Sequence, residues 1–323
     1  MKKFCLRLLI SGAILSVAGF VVLSVLFVNG YDIDELSLPV RSYTASEVYV
    51  TDYGAAPIEV SEEWATTFIA NEALQEAFFN DAGYYDSVIN VDASPDDINN
   101  LDINISMGEF TIAPADAFAI YANNIEADWL KYSIDGDRLS VSFKPEFKLF
   151  DFNFPDDSAE ILLFVPQKVY ETISIDIDAG NAYISGMTAN NFEFDISAGE
   201  AYVSDTAVYY NSDIKMSAGY SQFTRCTLMN SSSIKISAGD MEFDSSSVTG
   251  VSDIKVSAGA LFMTLMDNFS LYNISAEKSA GEIYINGEPA AKEYKAYSGA
   301  SDPIGNMNIK VSAGSCTINF MEG

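Results

Sequence analysis

Serine recurs at a 20-residue spacing in the second half of the chain, at Ser197, Ser217, Ser237 and Ser257. A serine nucleophile requires a neighbouring base, and the sequence of 323 residues contains no histidine. Histidine-dependent triads are therefore excluded, together with the commonest zinc ligand. Hydroxyl groups beside turns usually bond to the backbone, so these serines are predicted to be structural.

Two acidic segments carry the oxygen atoms that calcium prefers, Asp135-Gly136-Asp137 and Asp156-Asp157. Neither supplies the roughly six spaced oxygens of a calcium loop, so we interpret them as a hairpin tip and a surface turn. No carboxylate pair stands out as the acid and base of a glycosidase. The sequence thus predicts a protein that is not an enzyme, with no catalytic, cofactor-binding or metal-binding residues.

Aromatic side chains recur at one position after the glycine of a Ser-Ala-Gly tripeptide that is repeated along the second half of the chain. The position three residues after that glycine holds Tyr183, Tyr202, Gln222, Glu242, Phe262, Tyr284 and Thr317. If successive copies stack, Tyr183 lies beside Tyr202, and Phe262 lies close to Tyr284. An exposed row of rings suits a sugar or a partner protein, which makes these four residues the candidate interaction surface. The alternative is a ladder of rings that only stiffens the sheet.

Lysine recurs four residues before three of the glycines, at Lys215, Lys235 and Lys255. Nearby carboxylates, among them Asp195 and Asp213, can offset their repulsion, so we interpret a solvated, partly paired face, with an anion site as the alternative. The whole chain has a formal net charge of −29. Such a surface repels nucleic acid, which is excluded as a partner.

A repeated Ser-Ala-Gly tripeptide sets the positions of all these side chains. A fixed period of this kind is typical of a solenoid. Copies 20 residues apart end at Gly199, Gly219, Gly239 and Gly259, and looser copies end at Gly108, Gly180, Gly281 and Gly314.

The apolar residues around each glycine alternate with polar ones. The positions five and three residues before it are apolar, as at Ile234 and Ile236, and so are those two and four residues after it, as at Met241 and Phe243. This alternation predicts two strands. At the glycine the inward-facing positions shift by one residue, and the alanine before the glycine is also expected to face inward.

Neither strand of such a unit can bury its apolar side alone, so the units must stack. The predicted fold is all-β, a parallel β-helix or β-solenoid of about 20-residue coils, with each coil placed on the one before it in the chain. The longer intervals before Gly281 and Gly314 are interpreted as bulged turns. The segment from Lys131 to Phe143 is predicted to be a hairpin with Asp135-Gly136 at its tip.

The first residues of the chain predict a membrane anchor. Leu8 to Val28 is 21 residues without a charge, preceded by Lys2, Lys3 and Arg7 and followed by no small-residue cleavage site. We expect residues 1–30 to be a basic cytoplasmic tip with an uncleaved single transmembrane helix in the plasma membrane. The positive-inside rule then places residues 31–323 outside, at the cell surface.

Two further parts follow that anchor. Residues 31–95 are predicted to be a juxtamembrane connector, in which Trp64, Phe68, Leu74 and Phe78 share one face of a short helix at 64–79. Residues 96–323 are predicted to form the β-solenoid.

The order of these segments resembles the bacterial putative-adhesin family of β-strand repeat proteins, which is a domain of unknown function. The resemblance covers residues 98–323, and its most specific parts are Asp176-Ile177-Asp178-Ala179-Gly180 and the Ser-Ala-Gly units after it. It implies a β-solenoid exposed outside a bacterial membrane, with no catalytic or cofactor residues. The Gly-Asp pair usual in the family is kept only at Gly239-Asp240.

The sequence therefore predicts a membrane-anchored, extracytoplasmic β-solenoid that mediates adhesion to, or interaction with, envelope or host glycans or proteins. One alternative is an envelope-sensing or regulatory accessory that acts through a membrane partner. Another is a structural spacer. Loss of ligand binding on replacing Tyr183 and Tyr202 would favour adhesion, and loss of function on exchanging Leu8–Val28 would favour the accessory role.

Overall fold

The computed structural model describes residues 87–125, 128–145 and 159–321, and two short strands in the segment before them. The chain divides into a unit at Met1–Ala70 and a unit at Asn71–Gly323. The described part contains no helix with the length and hydropathy needed to cross a membrane. The predicted helices at Leu8–Val28 and at 64–79 lie outside the described residues.

The first unit contributes one antiparallel pair of two-residue strands, β1 (Val48–Tyr49) and β2 (Glu59–Val60). The second unit contains a 22-stranded sheet. Its first half is β3 (Ser87–Asn90), β4 (Asn100–Ile105), β5 (Glu109–Ala115), β6 (Ala119–Asn123), β7 (Leu130–Asp135), β8 (Arg138–Phe143), β9 (Glu160–Pro166), β10 (Val169–Ile177), β11 (Gly180–Ser185), β12 (Thr188–Ile196) and β13 (Gly199–Ser204). Its second half is β14 (Ala207–Met216), β15 (Tyr220–Thr224), β16 (Thr227–Leu228), β17 (Ser231–Val248), β18 (Gly250–Leu265), β19 (Tyr272–Lys278), β20 (Glu282–Ile285), β21 (Glu288–Pro289), β22 (Glu293–Ala296), β23 (Gly305–Val311) and β24 (Ser315–Phe320).

The predicted stacking of parallel coils is confirmed. Ile214, Ile234, Ile254 and Ile309 are successive register partners on β14, β17, β18 and β23. Each of these side chains is at most 1% exposed. The side chains in the columns after the glycine are also buried, and apolar side chains from successive coils form one continuous core.

The glycines also stack on one another, at the corner between the two long strands of each coil. Gly199 and Gly219 have φ of +121° and +103°, a region that side chains resist. A Cβ at Gly219 would overlap the carbonyl oxygen of Gly199, and one at Gly199 would overlap that of Gly180. The repeat keeps glycine because the corners of neighbouring coils are in direct backbone contact.

The alanine before each glycine does not face inward, which corrects the sequence-based expectation. Ala198, Ala218, Ala238 and Ala258 are all exposed. Since the chain turns at the glycine, both the serine and the alanine before it lie on the outside of the corner. The inward positions are those five and three residues before the glycine and two and four residues after it.

Each coil also has a short third side, beyond the two strands that the alternation predicts. Tyr170, Ala189, Val208, Leu228 and Val248 are successive register partners there, and all are buried. Between β12 and β14 the register shifts by one residue at the corner after this side, since Ala189 pairs with Val208 but Asn191 pairs with Asn211. The extra residue at this corner leaves the strands on both sides of it in register.

The coils do not stack in chain order at either end, so that part of the prediction is wrong. At one end β23 and β24 lie between β18 and the strands β19 and β20. At the other end the coil of β4 and β5 lies between two other coils. The coil of β10 and β11 is on one side of it, and the coil of β8 and β9 is on the other.

The antiparallel strands explain this inversion. On the coil of β19 and β20, the segment after Ile285 adds β22 to β19 and β21 to β20. On the coil of β8 and β9, β7 and β6 are added in the same way. A coil that carries such additional strands can only be outermost, because they occupy the edge where the next coil would pair. The long interval before Gly314 therefore contains a cap and not a bulged turn.

The predicted hairpin at Lys131–Phe143 is confirmed as β7 and β8, but its two turn residues are Gly136 and Asp137, one residue later than the predicted tip at Asp135-Gly136. Asp135 pairs with Arg138 across a two-residue turn, and Gly136 at its first central position has φ of +61°. A glycine at that position is typical of the type II′ turns that match the twist of a hairpin.

The core contains a short column of buried serines. Ser212, Ser232 and Ser252 are successive register partners, each at most 3% exposed. The Ser212 hydroxyl donates to Ser232 Oγ at 2.9 Å. Among the described residues, the Ser252 hydroxyl is buried with no hydrogen-bond partner in the protein.

The glycine column yields a first prediction. Gly219→Ala combines the positive φ with a Cβ that overlaps a neighbouring carbonyl group, so we expect it to lower the free energy of unfolding by more than ~3 kcal/mol. The measurement is urea denaturation of the full chain, followed by circular dichroism. The matched control is Gly299→Ala, which places a Cβ in open space without a positive φ and should change stability by less than ~0.5 kcal/mol. Equal midpoints for the two variants would contradict this account of the corner.

The serine column yields a second prediction. Ser252→Ala removes a buried hydroxyl without a protein partner and should raise the free energy of unfolding by up to ~1 kcal/mol, or leave it unchanged. Ser232→Ala deprives the Ser212 hydroxyl of its acceptor and should lower stability by ~1 kcal/mol or more. Thermal and urea denaturation of both variants measures the difference. A larger loss for Ser252→Ala than for Ser232→Ala would show that the Ser252 hydroxyl has a stabilising partner.

Candidate interaction surface

The outer side of the strands after the glycine corner carries the candidate aromatic residues. Tyr183 on β11 and Tyr202 on β13 are register partners, and both are half-buried. Their rings are stacked, with centroids 5.4 Å apart and an interplanar angle of 8°. The two rings are adjacent because in-register parallel strands place equivalent side chains next to each other.

A third ring, Tyr220 on β15, continues this row. Its centroid lies 6.0 Å from that of Tyr202, with an interplanar angle of 58°. We call Tyr183, Tyr202 and Tyr220 the tyrosine ladder. Sequence analysis missed Tyr220 because it is one residue after its glycine and belongs to the adjacent column, where its register partner is Glu200. A search across neighbouring columns of the same face would have found it.

Carboxylates accept hydrogen bonds from the tyrosines on this face. Tyr202 Oη donates to Glu200 Oε2 at 2.9 Å, and Tyr220 Oη donates to Glu242 Oε2 at 2.9 Å. Burial and the Glu242 carboxylate raise the pKa of Tyr220 above its usual value. The hydroxyl groups therefore act as donors, while the carboxylates retain acceptor capacity for a ligand.

The expectation that Phe262 lies close to Tyr284 is wrong. Phe262 on β18 pairs with Thr317 on β24, and Thr317 pairs in turn with Tyr284 on β20. The inverted order of the last coils places a whole strand between the two rings. Phe262 is 41% exposed, and the Tyr284 hydroxyl donates to its own strand neighbour Glu282 at 3.2 Å.

The lysines form a column on the other long side of the coils. Lys215, Lys235, Lys255 and Lys310 are successive register partners, so the inverted coil order extends the predicted column by Lys310. Asp213 contacts two of them, with Lys215 Nζ at 2.7 Å and Lys235 Nζ at 3.3 Å. All three side chains are more than a third exposed, so these ion pairs contribute little to stability. The contacts agree with a solvated, partly paired face.

The described residues contain no group of acidic or cysteine side chains arranged to hold a metal ion. The predicted hairpin tip is at Asp135–Asp137, where Asp137 Oδ2 accepts a hydrogen bond from Asn100 Nδ2 at 3.1 Å. Asp156 and Asp157 lie outside the described residues.

The model of the family described as Toastrack DUF4097 matches residues 98–318. The chain belongs to this family. The sequence-based recognition of a bacterial β-strand repeat family of unknown function is thereby confirmed. The match begins just before β4 and ends within β24, so it covers both long sides of the coils in this Toastrack protein.

Several solved structures are similar to this Toastrack protein. A putative cell adhesion protein from Clostridium sporogenes has 14% identity and a TM-score of 0.41, over 73% of this chain and 98% of that one. A putative adhesin from Bacteroides fragilis has 12% identity and a TM-score of 0.35, over 74% and 99%. A putative lipid binding protein from Parabacteroides distasonis has 16% identity and a TM-score of 0.37, over 73% and 96%. None of the curated proteins matches the sequence.

The tyrosine ladder yields a third prediction, which separates ring stacking from ligand binding. In a double-mutant cycle of Tyr183→Ala and Tyr202→Ala, we expect a coupling free energy of ~0.5–1.5 kcal/mol, because stacked rings interact beyond the area they bury. Urea denaturation of the wild type, both single variants and the double variant measures it. Additive effects would show that the rings do not stabilise one another.

Proposed function

We propose that this Toastrack protein is an adhesin of the cell surface that binds neutral glycans on the tyrosine ladder. One observation carries the proposal: a row of three tyrosine rings lies beside carboxylates on the outer side of a continuous sheet. The outer edges and hydroxyl groups of the rings can contact a sugar, and carboxylates accept hydrogen bonds from sugar hydroxyls.

The fold supports binding by holding the rings in place before a ligand arrives. The strands β11, β13 and β15 are each paired on both edges, and Tyr202 and Tyr220 are further fixed by their hydrogen bonds to glutamates. A preorganised surface loses less conformational entropy on binding. Ring centroids 5.4 and 6.0 Å apart form a strip along the stack that suits a linear chain of sugars.

Charge determines which glycans fit this surface. The chain carries a formal net charge of −29, and Glu200 and Glu242 contact the ladder directly. Anionic polysaccharides are disfavoured there, since like charges repel at close range. The ligand class is therefore a neutral polysaccharide or oligosaccharide of the cell envelope or of a host surface.

The proposal includes the location of the protein. Leu8–Val28 has the length of a membrane span, with its basic flank on the N-terminal side. We propose a single-pass anchor in the plasma membrane that displays the solenoid outside the cell. The acidity of the chain suits a soluble, externally exposed surface.

A glycan array tests the function with the full chain in lipid nanodiscs. We expect binding to neutral glycans and a loss of at least ~10-fold in affinity for the double variant Tyr183→Ala and Tyr202→Ala, because two aromatic contacts are removed. The matched control is Tyr297→Ala, which removes an aromatic side chain that is 78% exposed and lies outside the ladder.

Equal binding by the wild type and the double variant would overturn the assignment of the ladder. If the double variant keeps its cellular function and exchange of Leu8–Val28 for an unrelated apolar segment abolishes it, the protein acts as an accessory of a membrane partner. If neither change has an effect, the solenoid serves as a spacer.

A further inference from the structure

One end of the sheet has an open edge at β7. Among the described residues β7 pairs only with β8, in the register Asp135 with Arg138 and Leu130 with Phe143. No described strand occupies its other edge. Open edges of this kind are where sheets add strands from another chain.

The direction of the backbone groups on β7 follows from its hydrogen bonds. Lys144 N donates to Trp129 O at 3.0 Å, so the backbone N–H and C=O groups of the odd-numbered residues in this segment point toward β8. In an antiparallel ladder the direction alternates from residue to residue. The N–H and C=O groups of Tyr132 and Ile134 therefore point away from β8, toward the open edge.

The side chains of the same two residues form an exposed apolar pair. Tyr132 pairs with Val141 and Ile134 with Leu139, and both partners are at most 1% exposed in the core. Tyr132 and Ile134 lie on that core-facing side of the sheet, yet they are 41% and 40% exposed. They extend the apolar columns by one strand beyond the last coil, where nothing described covers them.

We propose that β7 pairs with β7 of a second copy of this chain, antiparallel and centred on Ser133. This register places Tyr132 opposite Ile134 of the second copy, and the reciprocal pair is formed by symmetry. Four hydrogen bonds then join the backbone groups that point outward. The two apolar pairs cover one another, as aromatic and β-branched residues do across strands.

Charge and apolar pairing together favour this register over its neighbours. Centring on Ser133 places Lys131 opposite Asp135 of the second copy, on the outer side of the sheet. The pair occupies a position without backbone hydrogen bonds, where side chains approach more closely. A shift of one chain by two residues keeps the backbone parity. In one direction it places Lys131 opposite Ser133 and loses both ion pairs, and in the other it places Tyr132 opposite Gly136 in the turn and loses both apolar pairs.

The opposite end of the sheet lacks these features. Its outermost strand β22 also has a single partner within the described part of the chain, but it exposes Glu293 and Lys295 and has a half-buried Tyr294. The adjacent cap strand β21 contains Pro289, which cannot donate a hydrogen bond. Charged residues and proline are typical protection of an edge, so association is expected at β7 and not at this opposite end.

A cysteine crosslink tests the dimer in the full chain, purified in detergent. Ser133→Cys is made in a Cys5→Ser background. At the twofold axis the two Ser133 Cα atoms would be about 4.5 Å apart, which suits a disulfide. Cys226 and Cys316 remain, but both are at most 1% exposed and burial raises the pKa of each thiol to about 12, so neither should oxidise.

The matched control is Ser140→Cys in the same background. Ser140 is the register partner of Ser133, one strand further from the edge, so the two copies of it would be about 14 Å apart and beyond disulfide reach. After mild oxidation we expect at least ~10-fold more crosslinked dimer from Ser133→Cys than from Ser140→Cys on a non-reducing gel.

A charge exchange tests the register without any crosslink. Lys131→Asp and Asp135→Lys each place like charges opposite one another in the homodimer, and each should raise the dissociation constant by ~10-fold. Mixing the two variants pairs aspartate with lysine at both positions and should restore dimerisation, which sedimentation equilibrium measures. Equal crosslinking of the two cysteine variants, or a mixture no tighter than its components, would overturn the proposal.

Discussion

Direct contact between stacked glycine corners is the constraint on which this structure depends. The carbonyl group of one glycine occupies the space that a Cβ of the next would need, so each corner fixes the height and phase of its neighbour. The positions of all the other side-chain columns follow from this phase. The apolar core, the serine column, the lysine column and the tyrosine ladder are all consequences of one register, set where the chain has no side chain at all.

The two ends of the stack show how a repeat protein limits its own growth. At each end the outermost coil carries antiparallel strands, and the neighbouring coil in sequence is placed inside it. Parallel coils could otherwise continue to add strands indefinitely, as terminal repeats without a cap do. The caps differ in chemistry: one edge is charged and contains proline, whereas the other is apolar and self-complementary. Because only one of the two ends is self-complementary, the chain is expected to form dimers and not filaments.

The sequence predicted those features that depend on short-range pattern. The alternation at Ile234, Ile236, Met241 and Phe243 defined both strands and the core side of each, and the glycine repeat defined the corner. The vertical order of the coils could not be predicted in the same way. It depends on which coil carries the additional strands, and the parity of a strand contains no information about which strand lies beside it. The error at Phe262 and Tyr284, and the omission of Tyr220, both followed from assuming chain order or a single column.

The register shift between Ala189 and Asn191 has a consequence for how such a chain can change over time. One additional residue enters at the corner occupied by Tyr209 and Tyr210, and the strands before and after it keep their partners. Length variation is thus tolerated at this corner without cost to the rest of the fold. New loops, and with them new recognition properties, can be grafted there while the framework stays intact.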